Sequence, residues 1–165
     1  MDENIIHSAN TIAKIVEPKK GRHIAVAGDI NTIVASKKDT AGTYSFIEAK
    51  VFPGGGPAPH IQTREHEGFY VVKGQITFKV DKQRIEAKPG TFVNVPPHVL
   101  HSFKNETNEV AELIIILSPP GLEQLFVEVG LEVSDINIKP PPFTYEQKQK
   151  LPSIASKYGM EIRPD

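Results

Sequence analysis

The chain has no cysteine among its 165 residues, which excludes disulfide bonds, thiol nucleophiles and thiolate metal sites together. Long hydrophobic runs are absent as well: the longest, Leu113–Leu117, is far too short to cross a bilayer. Neither sign of charge is in excess, because 19 Lys and Arg residues stand against 20 Asp and Glu residues. A net charge of −1 gives no attraction to nucleic acid or to an anionic membrane, so we expect neither as a partner.

The composition is that of an ordinary soluble globular protein, with 39% hydrophobic and 24% charged residues. A chain of this length suits one compact domain, and we expect residues 1–165 to form a single one. The first residues, Met1–Asn4, are acidic and lack the basic start and apolar run of a signal peptide. Together with the lack of cysteine, this predicts a cytoplasmic protein.

Proline and glycine are plentiful, with 14 and 12 residues, and they separate short runs rich in β-branched and aromatic residues. No helical pattern interrupts the series. Short strands at regular spacing predict an all-β, antiparallel sandwich or barrel with its core at about residues 23–118. The predicted strands are His23–Ala27, Ile30–Ala35, Thr43–Phe52, Phe69–Lys73, Gln75–Val80, Arg84–Ala87, Thr91–Val95, Leu100–Phe103 and Val110–Leu117.

Two short helices are predicted in the C-terminal extension, residues 119–165. The first has one apolar face, which packs on the core or closes one mouth of the barrel, and it ends at Gly130. The second begins at Thr144, which forms a capping box with Gln147. Pro152 is expected to restart this helix, which then ends near Gly159. The apolar face of the first helix comprises Leu122, Leu125, Phe126 and Val129.

Polar residues able to bind a metal are concentrated between Gly54 and Gly74 and in a second block further on. His60 and Gln62 are two residues apart, so on a strand both point to the same side. Glu67 can enter from the neighbouring strand, and His101 from a non-adjacent one. Two imidazoles and a carboxylate, with an amide near them, suit a first-row divalent metal with open coordination positions.

The spacing of these residues resembles the two motifs of the cupin superfamily, Gly-x5-His-x-His-x4-Glu-x6-Gly and Gly-x5-Pro-x-Gly-x2-His-x3-Asn. Eight of the ten specified positions agree at the required offsets. Segments such as Pro57–His60 and Glu67–Gly74 are similar to single-domain cupins of the quercetin-dioxygenase-like group. The resemblance implies a double-stranded β-helix, or jelly roll. The agreeing positions are Gly54, His60, Glu67, Gly74, Gly90, Pro96, His101 and Asn105.

By the same resemblance, His60, Glu67 and His101 bind a divalent metal ion, one of iron, manganese, nickel, copper or zinc. Gln62 stands where the first motif has its second histidine, and His98 stands where the second motif has glycine. An amide oxygen is a weaker ligand than imidazole for borderline ions and favours harder ones. Gln62 is therefore a fourth ligand, a group beside a triad of two histidines and a glutamate, or the mark of a weakened or lost metal site.

Phe69 and Phe103 lie two residues from Glu67 and His101, so both are expected to form the wall of a largely apolar small-molecule pocket. The resemblance implies a metal-binding cupin that acts on a small organic molecule, a dioxygenase-like oxidoreductase in which Glu67 is the catalytic residue, as ligand or base. The alternative, favoured by Gln62, is a non-catalytic protein that binds or senses a small ligand. Cupin barrels commonly pair, which predicts a homodimer.

Overall fold

The structure, a computed structural model, describes residues 13–163. Met1–Asn4, on which the cytoplasmic prediction rests, lies outside the described residues. All nine predicted strands are present, each within a few residues of its predicted bounds. The elements are β1 (Arg22–Val26), β2 (Asp29–Ala35), β3 (Ser45–Val51), β4 (His60–Gln62), β5 (His66–Lys73), β6 (Ile76–Val80), β7 (Gln83–Ala87), β8 (Phe92–Val95), β9 (His101–Lys104), β10 (Ala111–Ser118), α1 (Glu123–Val129), β11 (Leu131–Glu132), α2 (Tyr145–Lys157) and β12 (Met160–Ile162).

The strands form two antiparallel sheets, which confirms the all-β jelly-roll prediction. The seven-stranded sheet has the order β11-β1-β2-β3-β10-β5-β8, and the five-stranded sheet has the order β12-β4-β9-β6-β7. The chain crosses between the sheets repeatedly: β4 follows β3 into the small sheet, β5 returns to the large one, and β6, β8, β9 and β10 continue the alternation. This crossing is what winds two sheets into a double-stranded β-helix.

The inner faces of the two sheets follow the two-residue period that the strand pattern predicts. In β3 and β10, fully buried aliphatic residues alternate with less buried ones. Burying one large apolar side chain contributes about 1.5–3 kcal/mol, so these two central strands stabilise the core strongly. Three aromatic rings pack together in the same core, with centroids 5.1 to 5.7 Å apart, and they belong to Phe69, Phe78 and Phe103.

Both predicted helices are present. The first, α1, ends at Gly130 as expected, and the capping box of Thr144 and Gln147 begins α2. Pro152 does not restart the second helix, because α2 runs through it without a break. Its missing N–H removes one helical hydrogen bond, yet α2 continues and packs against α1, where Lys157 pairs with Glu128. Among the described residues no helix is long and apolar enough to cross a membrane.

The C-terminal extension also adds one short strand to each sheet, which the sequence pattern does not predict. β11 pairs with β1 at the edge of the large sheet, and β12 pairs with β4 at the edge of the small one. Strands of two or three residues are too short to show a period in the sequence. β12 therefore lies directly beside the strand that carries His60 and Gln62.

Candidate metal centre

Three strands carry the predicted ligands. His60 and Gln62 are on β4, and His101 is on β9, which is hydrogen-bonded to β4 with His60 opposite His101. Glu67 is on β5, in the other sheet. The motif spacing predicted the reverse, with Glu67 on the neighbouring strand and His101 on a non-adjacent one. The reason is that the chain changes sheet between β4 and β5, so strands that are consecutive in sequence face each other across the core.

The four predicted residues lie together and are almost completely buried. His60, Gln62, Glu67 and His101 are exposed by 4%, 2%, 5% and 2%. The possible ligand atoms of the two histidines and the glutamate lie within 4.8 Å of one another. The Gln62 Nε2 donates to Glu67 Oε2 at 2.6 Å, and the two imidazole centroids are 4.2 Å apart. This spacing would allow one ion to touch all three of these side chains.

Both imidazole rings are oriented by the backbone. The Nδ1 of His60 lies 2.9 Å from the carbonyl oxygen of Ala58, and the Nδ1 of His101 lies 2.9 Å from that of Val99. A carbonyl oxygen only accepts, so each Nδ1 carries the proton and donates it. In the neutral ring the lone pair is then on Nε2. Metal-binding histidines are commonly fixed in this way, with one nitrogen donating to a backbone carbonyl and the other ligating.

Two features of the cluster call for a positive charge at its centre. The Nε2 of His101 is 3.1 Å from Glu67 Oε2, and in the neutral ring this places two acceptors against each other. A proton or a cation between them removes the conflict. The Oε1 of Gln62 is buried and has no hydrogen-bond partner among the described residues. Buried polar atoms are nearly always satisfied, so this oxygen also suits a cation or a ligand group. The donor set therefore fits a divalent metal ion.

The pKa values of the two histidines are shifted in opposite directions. Burial lowers the pKa of His60, and the nearby His101 lowers it further. Burial also acts to lower the pKa of His101, but the hydrogen bond and negative charge of Glu67 outweigh it and raise the pKa above its usual value. Glu67 thus favours positive charge beside His101 Nε2, which a bound cation would supply, while burial favours the neutral form of His60.

A cavity of about 70 Å³ opens beside the cluster, and His60, Gln62 and Glu67 form part of its wall. Sites for drug-sized ligands enclose about 300–1,000 Å³, so this cavity suits a much smaller molecule. Phe103 lines it as predicted, but Phe69 does not: its ring packs within the aromatic core beside Phe103. Apolar walls come from both sheets and from α1, namely Val26, Ala27, Ala49, Val51, Pro57, Phe103, Ile115, Phe126 and Met160.

The apolar face of α1 serves both purposes that the sequence left open. Leu122, Leu125 and Val129 are buried, and the first two belong to the main core cluster. Phe126 instead lines the cavity, where it meets the wall formed by the strands. Met160 of β12 is a further cavity residue. Sequence reasoning missed it because the strand that carries it is too short to recognise.

Two further polar residues, which the sequence analysis did not single out, also line the cavity. Asp29 and Asn31 are on β2, two residues apart, and their exposure is 5% and 8%. Burial, the dominant cause, raises the pKa of Asp29 from 3.8 to about 7, against the opposing effect of the backbone at Phe52 and Gly56 and of the Lys139 charge. Both residues lie outside the recognised motifs; polar side chains at alternate positions of an otherwise apolar strand were the available signal.

The motif residues that do not approach the cluster support its backbone. His98, which replaces the glycine of the second motif, is exposed and keeps the left-handed conformation that glycine favours, with φ of 69°. Its N–H donates to the carbonyl of Gln62 at 2.7 Å. Asn105 donates from Nδ2 to the carbonyl oxygens of Val51 and Glu109. The second motif thus includes one metal-ligand position, His101, and turn residues whose hydrogen bonds support the backbone around β4 and β9.

Comparison with known proteins agrees with this fold and site. Residues 48–117 match the family model of the cupin domain, a stretch that contains all four predicted ligand positions. Within this stretch, which is less than half of the chain, the sequence is similar to cupin domains. It is similar to quercetin 2,3-dioxygenase of Bacillus subtilis (strain 168), with 27% identity over 116 residues. That alignment covers 70% of this chain but 34% of the enzyme, so the chain spans about a third of its relative's length.

Solved structures support the fold alone. KdgF from Halomonas sp. aligns with a TM-score of 0.56 and 20% identity, over 64% of this chain and 91% of that one. A predicted oxalate decarboxylase from Thermotoga maritima aligns with a TM-score of 0.60 and 18% identity, over 64% of this chain and 99% of that one. Proteins with this fold run different reactions.

Proposed function

We propose that this chain is a metal-dependent cupin that acts on a small organic molecule as a dioxygenase-like oxidoreductase. The observation that carries the proposal is the buried cluster of His60, Glu67 and His101, in which both Nδ1 atoms are held by carbonyls and His101 Nε2 faces Glu67 Oε2. The similarity to a quercetin 2,3-dioxygenase supports the reaction class. In a dioxygenase both oxygen atoms enter the organic product, so no separate reductant is required.

The residues of the cluster have distinct proposed roles. His60, Glu67 and His101 hold the divalent ion, whose identity among iron, manganese, nickel, copper and zinc is open. When bound, such an ion polarises a substrate oxygen and makes a substrate hydroxyl more acidic. Gln62 directs the Glu67 carboxylate through its Nε2 donor at 2.6 Å. Its Oε1 offers either a fourth ligand atom or an acceptor for the substrate.

Glu67 is the proposed catalytic residue. Its Oε2 accepts a hydrogen bond from Gln62 and faces the Nε2 of His101 at 3.1 Å, so the carboxylate is held in place at the wall of the cavity. From there Oε2 can take a proton from an enol or phenol hydroxyl of the substrate. The apolar walls around it exclude water, which strengthens the electrostatic interactions within the site. The cavity volume of about 70 Å³ favours a compact substrate.

A second candidate is a non-catalytic protein that binds or senses a small ligand. It is favoured by Gln62, whose amide nitrogen approaches Glu67 where an imidazole of a complete ligand set would be. In that case the apolar walls hold the ligand, and Glu67→Ala leaves ligand affinity largely intact. The enzyme proposal requires that the same change abolishes turnover.

The two candidates can be separated by oxygen consumption. Protein loaded with each divalent metal in turn is tested on compact enolisable compounds, such as hydroxyketones, 2-oxo acids and catechols, in an oxygen electrode. We expect one metalloform to consume oxygen, Glu67→Gln to stop it, and His66→Ala, a change at an exposed neighbouring histidine, to leave it unchanged. Ligand binding without oxygen uptake in every metalloform would overturn the enzyme proposal.

The remaining expectations concern the whole protein. A homodimer, a cytoplasmic location and a single domain over residues 1–165 stay predictions from the sequence. None of them is needed for the proposed chemistry, because all the residues assigned to it come from one chain.

A further inference from the structure

The cavity beside the metal cluster has a second polar group of residues in its wall. Asp29 and Asn31 are two residues apart on β2, and both belong to the lining together with His60, Gln62 and Glu67. β2 is in the large sheet, with β3 and β10 between it and β5, so this pair is separated from Glu67 by two strands. The cavity therefore offers polar contacts from two different parts of the barrel, with apolar side chains between them.

Asp29 is held so that its carboxyl group stays within the lining. The N–H of Phe52 donates to Oδ1 at 3.1 Å, and a Cβ at Gly55 would lie 1.9 Å from the same oxygen. The glycine loop can thus pass close to this carboxyl only without a side chain. Lys139 is the charged residue that acts on it. Because burial raises the pKa of Asp29 to about 7, the group can donate as well as accept near neutral pH.

The side-chain amide of Asn31 does not contribute to the hydrogen bonding of the described fold. The side chain is 8% exposed and forms no hydrogen bond with the residues that the structure describes. The Asn31 amide therefore has two donor hydrogens and one acceptor oxygen that are not used by the described residues and are available to a ligand in the cavity. Neither its nitrogen nor its oxygen is fully enclosed by protein atoms, so the amide is accessible from the cavity. On the same strand, the Thr32 hydroxyl is paired with His23 Nδ1 at 2.7 Å, which shows the usual arrangement.

We propose that Asp29 and Asn31 form a second polar subsite, which binds a hydroxyl or amino group at the end of the substrate remote from the metal ligands. The inference rests on the proposed function, because it takes the metal cluster as the place where the other end of the substrate binds. The substrate is then a compact bifunctional molecule, with an oxygen donor for the ion at one end and a hydrogen-bonding group at the other. Both residues determine specificity and take no part in the reaction itself.

The first test concerns stability and does not depend on any metal. Asn31→Leu has a similar shape and replaces an amide that makes no hydrogen bond in the described structure with an apolar side chain, so we expect the melting temperature to rise by about 2–4 °C. Thr32→Val is the matched control, because it removes a satisfied hydroxyl from the next position and should lower the melting temperature. A fall in Asn31→Leu comparable to that in Thr32→Val would make Asn31 a structural residue and would overturn the proposal.

The second test measures binding with matched probes. Zinc-loaded protein is titrated calorimetrically with acetohydroxamic, propanohydroxamic and butanohydroxamic acid, each compared with its ω-hydroxy counterpart. At the length that reaches the subsite, the added hydroxyl should tighten binding by roughly two- to ten-fold, the effect of one neutral hydrogen bond. Asn31→Leu and Asp29→Ala, which remove the hydrogen-bonding groups, should lose this gain and keep their affinity for the unsubstituted acids.

The outcomes distinguish the subsite from the metal site. If no ω-hydroxy acid gains affinity, or if the gain survives in both variants, the subsite proposal is wrong while the metal site stands. If none of the hydroxamic acids binds and none of the five divalent ions is retained, the proposed function fails. In that event ethanediol is titrated into the metal-free protein, and a shift of the Asn31 side-chain amide resonances, identified by their loss in Asn31→Leu, supports the subsite. No shift contradicts it.

Discussion

Buried polar residues are the feature of this protein that packing alone does not explain. A jelly roll is stable with apolar residues at all inward positions, and a polar group buried without a partner lowers stability. Among residues 13–163, the Oε1 of Gln62 is buried without a partner, and the Asn31 side chain, which is 8% exposed, makes no hydrogen bond. Both face the same cavity. Their common location indicates that they are present for a ligand.

Asp29 should make the stability of the protein depend on pH. The folded protein keeps the Asp29 proton up to about pH 7, whereas the unfolded chain loses it near the ordinary value of 3.8. Unfolding therefore releases a proton between these pH values, and stability falls as the pH rises through this range. The shift corresponds to about 4 kcal/mol at most. Asp29→Asn removes the titration and still offers an oxygen to the Phe52 amide.

We therefore expect Asp29→Asn to be more stable than wild type at pH 8 by a few kcal/mol, about 4 at most. The two proteins should converge near pH 3, below the ordinary value of 3.8, where the wild-type carboxyl is mostly protonated in both states. Urea unfolding at the two pH values checks this. A stability difference that does not change with pH would show that Asp29 titrates normally.

His98 allows a second prediction for a single residue. Its φ of 69° places a non-glycine residue in the left-handed region, and its side chain is exposed. A glycine at this position would remove the steric strain of the left-handed conformation, which is about 1 kcal/mol. The hydrogen bond from the His98 N–H to the Gln62 carbonyl belongs to the backbone, so glycine keeps it. His98→Gly should thus raise the free energy of unfolding by about 1 kcal/mol without changing metal affinity. A loss of bound metal in this variant would give His98 a role in the site.

Among the elements, the C-terminal strand β12 has the clearest link to the site. β4 has three residues, and β12 pairs along all of it, with Met160 opposite Gln62 and Ile162 opposite His60. The carbonyl of Gly159 accepts from the N–H and the hydroxyl of Thr63. A strand as short as β4 has few contacts of its own, so β12 positions the ligands that β4 carries.

Breaking this pairing should weaken metal binding without unfolding the barrel. Glu161 lies opposite Ile61, and Glu161→Pro removes an N–H that the pairing needs. We expect the metal dissociation constant to rise roughly ten-fold, with the far-ultraviolet circular dichroism close to that of wild type. Glu161→Ala is the control, since the exposed ion pair with Arg163 contributes little. Unchanged metal affinity in Glu161→Pro would mean that β4 does not depend on its neighbour.

Across the whole molecule, the positions of the longer strands could be predicted from the sequence, whereas the sheet that each strand joins and its neighbours in that sheet could not. β3 and β10 show alternation over seven and eight residues, which is enough to recognise a strand. β11 and β12 are too short to show it. Which sheet a strand joins depends on tertiary contacts, so the positions of Glu67 and His101 relative to His60 were expected in the reverse order.

The candidate site shows the same division. The motif spacing led to His60, Gln62, Glu67 and His101, and the structure brings these four together. Asp29 and Asn31 lie far from them in the sequence and reach the cavity only because the large sheet curves around it. Phe69 was expected in the cavity wall because it is two residues from Glu67 and so points to the same side of the strand. It packs in the aromatic core instead, because side chains on this inward face form both the cavity wall and the core.

The central claim, a metal ion bound by His60, Glu67 and His101, is tested most directly by counting the metal. Protein purified without a metal-affinity step is loaded with each divalent ion, desalted and measured by elemental mass spectrometry. We predict about one ion per chain for one of these metals, loss of this ion in His101→Ala, and retention in His66→Ala. Wild-type protein that holds no metal under any loading, or an unchanged metal content in His101→Ala, would contradict the account.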